Sequence, residues 1–151
     1  LVTPAPRPWH QEVAARLLVG LRGYCAAQGV GHVFSAPADI SWGPDLLVQP
    51  DVFVVPILEA RTLDWTAIRT LLLAVEVLSP SSTRADRFTK RRVYQEAGVP
   101  LYWIVDADAR VIEAWVPDAA FPVFEREQLV WHPAGASEPF IVSCAELFRP
   151  I

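Results

Sequence analysis

Residues 71–78 read Leu-Leu-Leu-Ala-Val-Glu-Val-Leu. No other stretch limits the fold so strongly. A short apolar run with no polar alternation predicts a central strand buried on both faces. One residue breaks the run. Strand alternation sets Glu76 on one face with Leu72, Ala74 and Leu78. An ionised carboxylate in an apolar sheet is costly unless a cation or donors compensate it. Glu76 is therefore paired with an Arg, placed at an exposed strand end, or bound to a metal.

The rest of the chain supplies the layers around that strand. Pro8 suits a first helical position and Gly29 a stop, so a helix is predicted over Pro8–Gln28. Its apolar positions, Trp9, Val13, Leu17, Leu21 and Tyr24, keep close to a helical period. Short extended segments follow at 31–35 and 40–42. Asp51 opens a strand that Pro56 closes, and 57–70 reads as a loop with one short helical turn. Ser79-Pro80-Ser81-Ser82-Thr83 breaks the chain. Thr83 and Asp86 have the spacing of a capping box, so a helix runs over 84–97, with Gly98 as its cap. Strands are expected at 101–105 and, across the turn at 106–109, at 110–116. Edge strands are expected at 125–131 and 140–142. The order predicts one mixed α/β domain, 1–151, around a single sheet.

Composition excludes several classes. Apolar residues make up 52%, too many for disorder, and 14 prolines argue against an all-helical bundle. No apolar run is long enough for a membrane span. No signal peptide is legible, although the chain starts at Leu1 without an initiator Met. Cys25 and Cys144 have neither metal-ligand spacing nor a disulfide framework, which suits a reducing cytoplasm. A net charge of -4 is the wrong sign for gripping nucleic acid through bulk charge, so such a role needs a local patch.

The candidate chemistry gathers around Glu76. Pro-Asp alone is common in turns, but Asp51 stands at the start of its strand. Two strands, each with one carboxylate near an end, can bring two hard oxygen ligands together. That suits Mg²⁺ or Mn²⁺. Lys90 is the single lysine among 13 basic residues, and it shares a helix side with Asp86, Val93, Tyr94 and Ala97. That side is expected to pack inward and aim Lys90 at the sheet. An i,i+4 pair with Asp86 is the plainer role for Lys90. Arg84, Arg87 and Arg91 are expected on a neighbouring face toward solvent, as a local patch for phosphates or as an ordinary solvated surface. His10 falls in the apolar stripe of the first helix and reads as a core histidine that the helix could bring to the site. Glu12 reads as exposed, and Trp103 and Trp115 as sheet core.

These residues together resemble a known family. Gln49-Pro50-Asp51-Val52, then Val75-Glu76-Val77-Leu78-Ser79-Pro80-Ser81-Ser82, then Asp86, Lys90 and Tyr94, then Gly98-Val99, then Tyr102-Trp103-Ile104-Val105-Asp106 are similar to the motifs of the Uma-type restriction-endonuclease-like family, a bacterial group. The resemblance implies a PD-(D/E)XK core: a central mixed β-sheet flanked by helices, often in a homodimer. It implies Asp51 and Glu76 as metal ligands, with the carbonyl of Val77 as a third. The superfamily lysine usually follows the acidic ligand by two residues, where this chain has Leu78. The resemblance moves that lysine to the next helix, at Lys90. Asp86, Tyr94 and His10 stand as supporting residues.

The function expected from all this is divalent-metal-dependent hydrolysis of DNA phosphodiester bonds by a cytoplasmic endonuclease. The rivals are an inactive nucleic-acid- or partner-binding domain that keeps the fold, and a structural dimer with a buried Asp86–Lys90–Glu76 ion network.

Overall fold

A computed structural model describes residues 7–80 and 82–151; Ser81, within the expected break, lies outside them. The first helix, α1, spans Pro8–Gln28 as predicted. Gly29 ends it in a left-handed conformation at φ 67°, with its N–H bonded to the Cys25 carbonyl at 2.8 Å. The buried stripe is His10, Val13, Leu17, Leu21 and Cys25, while Trp9 and Tyr24 are half-buried at its rim. Gly31 then carries the chain past the sheet at φ +144°. A Cβ there would meet Val54 Cγ1 at 2.8 Å and the Val55 carbonyl at 2.9 Å, so only glycine passes.

Ten strands follow among the described residues: β1 (His32–Ser35), β2 (Ile40–Gly43), β3 (Leu46–Val48), β4 (Val52–Val55), β5 (Leu73–Val77), β6 (Tyr102–Asp106), β7 (Val111–Trp115), β8 (Val123–Glu125), β9 (Gln128–Trp131) and β10 (Phe140–Ser143). The other helices are α2 (Ile57–Ala60), α3 (Arg84–Glu96) and α4 (Cys144–Leu147), with a 3-10 turn at Trp65–Ala67. Six strands form one mixed sheet in the order β1-β4-β5-β6-β7-β8. Only β5 and β6 are parallel, and α3 supplies the crossover between them. The central β5 is buried on both faces, as its apolar run demands.

Alternation along the strands divides the core. Val52, Val54, Leu73, Val75, Trp103, Val105 and Ile112 pack toward α1, α4 and the β9–β10 ribbon. Phe53, Val55, Ala74, Tyr102, Ile104 and Trp115 pack on the other face with Tyr94 of α3. Leu72 departs from the expected grouping. It lies ahead of β5 and packs with the α1 cluster, while Ala74 and Leu78 share the face of Glu76.

Three expectations need correction at the periphery. Residues 125–131 are not one edge strand. A bend at Arg126 and Glu127 divides them: β8 edges the main sheet, whereas β9 pairs with β10 in a separate ribbon. The alternation of β9 explains the ribbon, because Leu129 and Trp131 must face the α1 core. The segment at 40–42 likewise leaves the main sheet and pairs with β3. The helix α3 has the predicted capping box of Thr83 and Asp86, but Ala97 is exposed. Tyr94, 1% exposed, is its anchor instead. Among the described residues no helix is long and apolar enough to cross a membrane. Cys25 and Cys144 are both free and buried, and burial pushes the Cys25 thiol up to about 11.

Candidate active site

The site forms where β5 ends and β4 begins. Val52 pairs with Val75 in the antiparallel register. Asp51 lies just ahead of the paired residues, and its N–H donates to the Val75 carbonyl at 3.0 Å. The Asp51 side chain is anchored too, because Val77 N–H donates to its Oδ2 at 2.7 Å. Burial pushes the Asp51 carboxyl above the usual Asp range. The Val77 bond opposes this, the neighbouring Glu76 charge adds to it, and the Lys90 charge opposes it.

Glu76 is 7% exposed, and each of its oxygens has a partner. Lys90 Nζ lies 3.0 Å from Oε1, and the Tyr102 hydroxyl donates to Oε2 at 2.5 Å. The Lys90 side chain is 55% exposed, so α3 delivers its ammonium from the rim of the site. Tyr102 stacks on Tyr94 with ring centroids 4.3 Å apart. Burial, then the Glu76 and Asp51 charges, push the Tyr94 hydroxyl far above the ordinary phenol range. Burial, the Glu76 charge and the Glu76 hydrogen bond do the same to Tyr102, which stays a protonated donor. The Tyr94 hydroxyl is buried with no hydrogen-bond partner.

These groups open onto a cleft of about 510 Å³ between α1 and α3. Asp51, Glu76, Val77, Asp86, Arg87, Lys90 and His10 all line it. His10, 4% exposed, points Nε2 at Asp108 Oδ2, 3.3 Å away, while its Nδ1 is buried without a partner. Glu12 is partly covered and pairs with Arg16 at 2.7 Å.

Not every candidate converges. Asp86 does not pair with Lys90. It closes the capping box with Thr83, which leaves the ammonium for Glu76. Arg84 and Arg91 do not line the cleft. The guanidinium of Arg91 lies 4.3 Å over the Trp115 ring instead of pointing into solvent. A helical wheel cannot register a ring that reaches up from a neighbouring strand. Tyr102 was the converse omission: it sits in an apolar strand and reads as core, yet its hydroxyl holds Glu76. The legible signal was its placement two residues before Ile104, the partner of Glu76 in the parallel register, which puts Tyr102 on the same sheet face.

The donor set suits a small hard cation. Magnesium is commonly held by one or two carboxylates with water and phosphate completing its shell, and Asp51 and Glu76 offer two carboxylates. Asp51 is half-buried and, among the described residues, has no ion-pair partner within 4.0 Å, consistent with a cation there. Among the described residues no group of three or more His, Cys, Asp or Glu that could hold a metal ion comes together.

A mixed sheet with α1 and α3 on opposite faces, and two carboxylates and a lysine at the end of its central strand, is a restriction-endonuclease-like fold. The chain matches the Uma2 family, described as "Putative restriction endonuclease", over residues 1–136, and it belongs to that family. A solved structure from Anabaena variabilis, titled as a "putative nuclease", aligns with a TM-score of 0.75 at 20% identity. The alignment covers 98% of this chain and 84% of that one, and at this identity it shows a shared fold. No curated protein matches the chain.

Proposed function

We propose that this protein is an endonuclease that hydrolyses DNA phosphodiester bonds with Mg²⁺ or Mn²⁺, and that residues 1–151 act as one domain. The observation that carries the proposal is the convergence of Asp51, Glu76 and Lys90 on one cleft. Asp51, Glu76 and the Val77 carbonyl would hold the metal. When bound, the metal supplies a Lewis acid that makes water nucleophilic near neutral pH and offsets charge on the phosphate. Lys90 sets a compact positive charge beside that pair, where negative charge builds up on the phosphodiester. Tyr102 keeps Glu76 in one orientation by holding Oε2, as an outer partner of a metal ligand does. Arg87, at the cleft wall, meets the strand that enters. Asp86 fixes the start of α3 and so the reach of Lys90. Tyr94 supports the Tyr102 ring, and His10 closes the α1 wall. A homodimer and a cytoplasmic setting belong to the same proposal.

One observation favours a second reading, a binding domain without catalysis. Both Glu76 oxygens already have protein partners. A cleavage assay on supercoiled DNA with Mg²⁺ or Mn²⁺, run on wild type and Lys90→Ala, separates the two. Metal-dependent nicking that Lys90→Ala abolishes supports the nuclease. DNA binding without nicking in either metal would establish the binding domain.

A further inference from the structure

On the other flank of α3 lies a second groove, of about 340 Å³. Arg84, Arg87 and Arg91 contribute to it from the helix, and Glu113 and Trp115 from β7. Arg87 also lines the main cleft, so one side chain borders both spaces.

The groove is organised around Arg91. Its guanidinium is 4.3 Å from the centroid of Trp115 and 4.7 Å from that of Phe88. Stacking of this kind fixes the plane of an arginine and leaves its N–H groups free at the edge. Arg91 Nε is buried with no acceptor. Trp115 Nε1 is in the same condition, in a residue only 6% exposed. Buried polar groups in folded proteins nearly always have a partner. Both of these are donors, so what the groove lacks is an acceptor.

The charge balance says what kind. Three guanidinium groups share the groove with one carboxylate, Glu113. Among the described residues none of the three pairs with an acidic group within 4.0 Å, whereas Arg92 next door pairs with Glu96 at 2.9 Å. An anion with several acceptor oxygens matches planar donors, a fixed indole N–H and excess positive charge. The shared wall at Arg87 ties that anion to whatever occupies the main cleft.

We infer that this groove is a second phosphate subsite, which takes a backbone phosphate of the nucleic-acid strand next to the segment in the main cleft. The inference rests on the proposed nucleic-acid substrate. It adds that the strand crosses α3 at Arg87 and is gripped by Arg91 and the Trp115 indole. Glu113 limits that grip by repulsion.

The test is binding without chemistry. A short fluorescein-labelled DNA, single-stranded and as a duplex, is titrated with the full chain in EDTA and followed by anisotropy. Trp115→Phe keeps an aromatic face for Arg91, though a smaller one, and removes the N–H. Arg91→Gln keeps the length and removes the charge. The Kd is expected to rise roughly tenfold for Arg91→Gln, with the salt slope smaller by about 1. A smaller rise is expected for Trp115→Phe, and tighter binding for Glu113→Gln. Unchanged Kd values in Arg91→Gln and Trp115→Phe would overturn the subsite. So would Glu113→Gln binding no tighter, since Glu113 would then be the missing acceptor. Inorganic phosphate is the second probe. Saturable tryptophan quenching that Trp115→Phe abolishes, with DNA affinity unaltered by both variants, would make this a free-phosphate site and end the strand assignment. Wild type that binds DNA in the expected variant pattern but never cleaves it would sink the nuclease and leave the groove standing. Cleavage with both groove variants binding like wild type would do the reverse.

Discussion

The two faces of the six-stranded sheet both pack apolar cores but treat polar groups differently. On the α1 face the core is Val13, Leu17 and Leu21 against Val54, Leu73 and Trp103. Three polar side chains at its rim are bonded: Trp9 Nε1 to the Ala107 carbonyl, Tyr24 hydroxyl to the Glu138 carbonyl, and Arg16 to the carbonyls of Leu147 and Arg149. The α3 face holds Glu76, the Tyr94–Tyr102 stack and the Arg91–Trp115 stack. Three of its buried donors, on Tyr94, Arg91 and Trp115, have no partner. The fourth unpartnered atom, His10 Nδ1, belongs to α1 but to a residue that lines the cleft. Arg91 and Trp115 line the groove and His10 lines the cleft, whereas Tyr94 lines neither. One face holds the fold together. The other leaves buried polar groups unpartnered, at some cost in stability.

That contrast can be broken by substitution. The largest effect is expected at Lys90. Lys90→Ala should lower the DNA cleavage rate roughly 10²–10⁴-fold, as measured by nicking kinetics. Its stability should fall by less than a core truncation costs, because the Lys90 ammonium is exposed and Tyr102 still donates to Glu76. Leu17→Ala on the opposite face should do the converse. It should lose about 2–5 kcal/mol in urea denaturation while each folded molecule keeps its cleavage rate. Equal losses of stability from both would show that the faces do not divide the work.

Smaller effects sharpen the picture. Tyr102→Phe keeps the stacked ring and removes one hydroxyl. Mn²⁺ affinity, read by calorimetry, should fall roughly 10–100-fold, as for other outer partners of metal ligands. The smallest effect is expected at Glu59, away from both sites. Its Oε1 accepts from the N–H groups of Arg69 at 2.7 Å and Thr70 at 2.9 Å. Burial raises this carboxyl, but the bonds from Thr70 and Arg69 outweigh it and set it below the ordinary 4.5. A lowered carboxylate stabilises the fold above its unfolded pKa and loses that contribution as the pH falls through the folded one. Glu59→Gln should therefore cost stability at neutral pH and little in acid. Thermal melts at pH 7 and below pH 4 check the sign.

Local chemistry made much of this legible. Pro8 and Gly29 bounded α1, Thr83 and Asp86 started α3, and the run around Glu76 marked the central strand. Charge inside that run also pointed to the site. What escaped depended on partners distant in sequence. Leu46 and Leu47 are exposed, so β3 showed no alternation to find. The β9–β10 ribbon depends on where α1 leaves apolar surface uncovered. Arg91 looked solvent-facing because its covering ring, Trp115, comes from β7. Tyr102 looked like core because its hydroxyl matters only once Glu76 lies beside it.

The proposed chemistry rests on Asp51 and Glu76 sharing one cation. Calorimetric titration of Mn²⁺ into wild type and Asp51→Asn tests that directly. A single saturable site is expected in wild type, weakened roughly tenfold or more in the variant. Equal Mn²⁺ affinity in the two proteins would contradict the account.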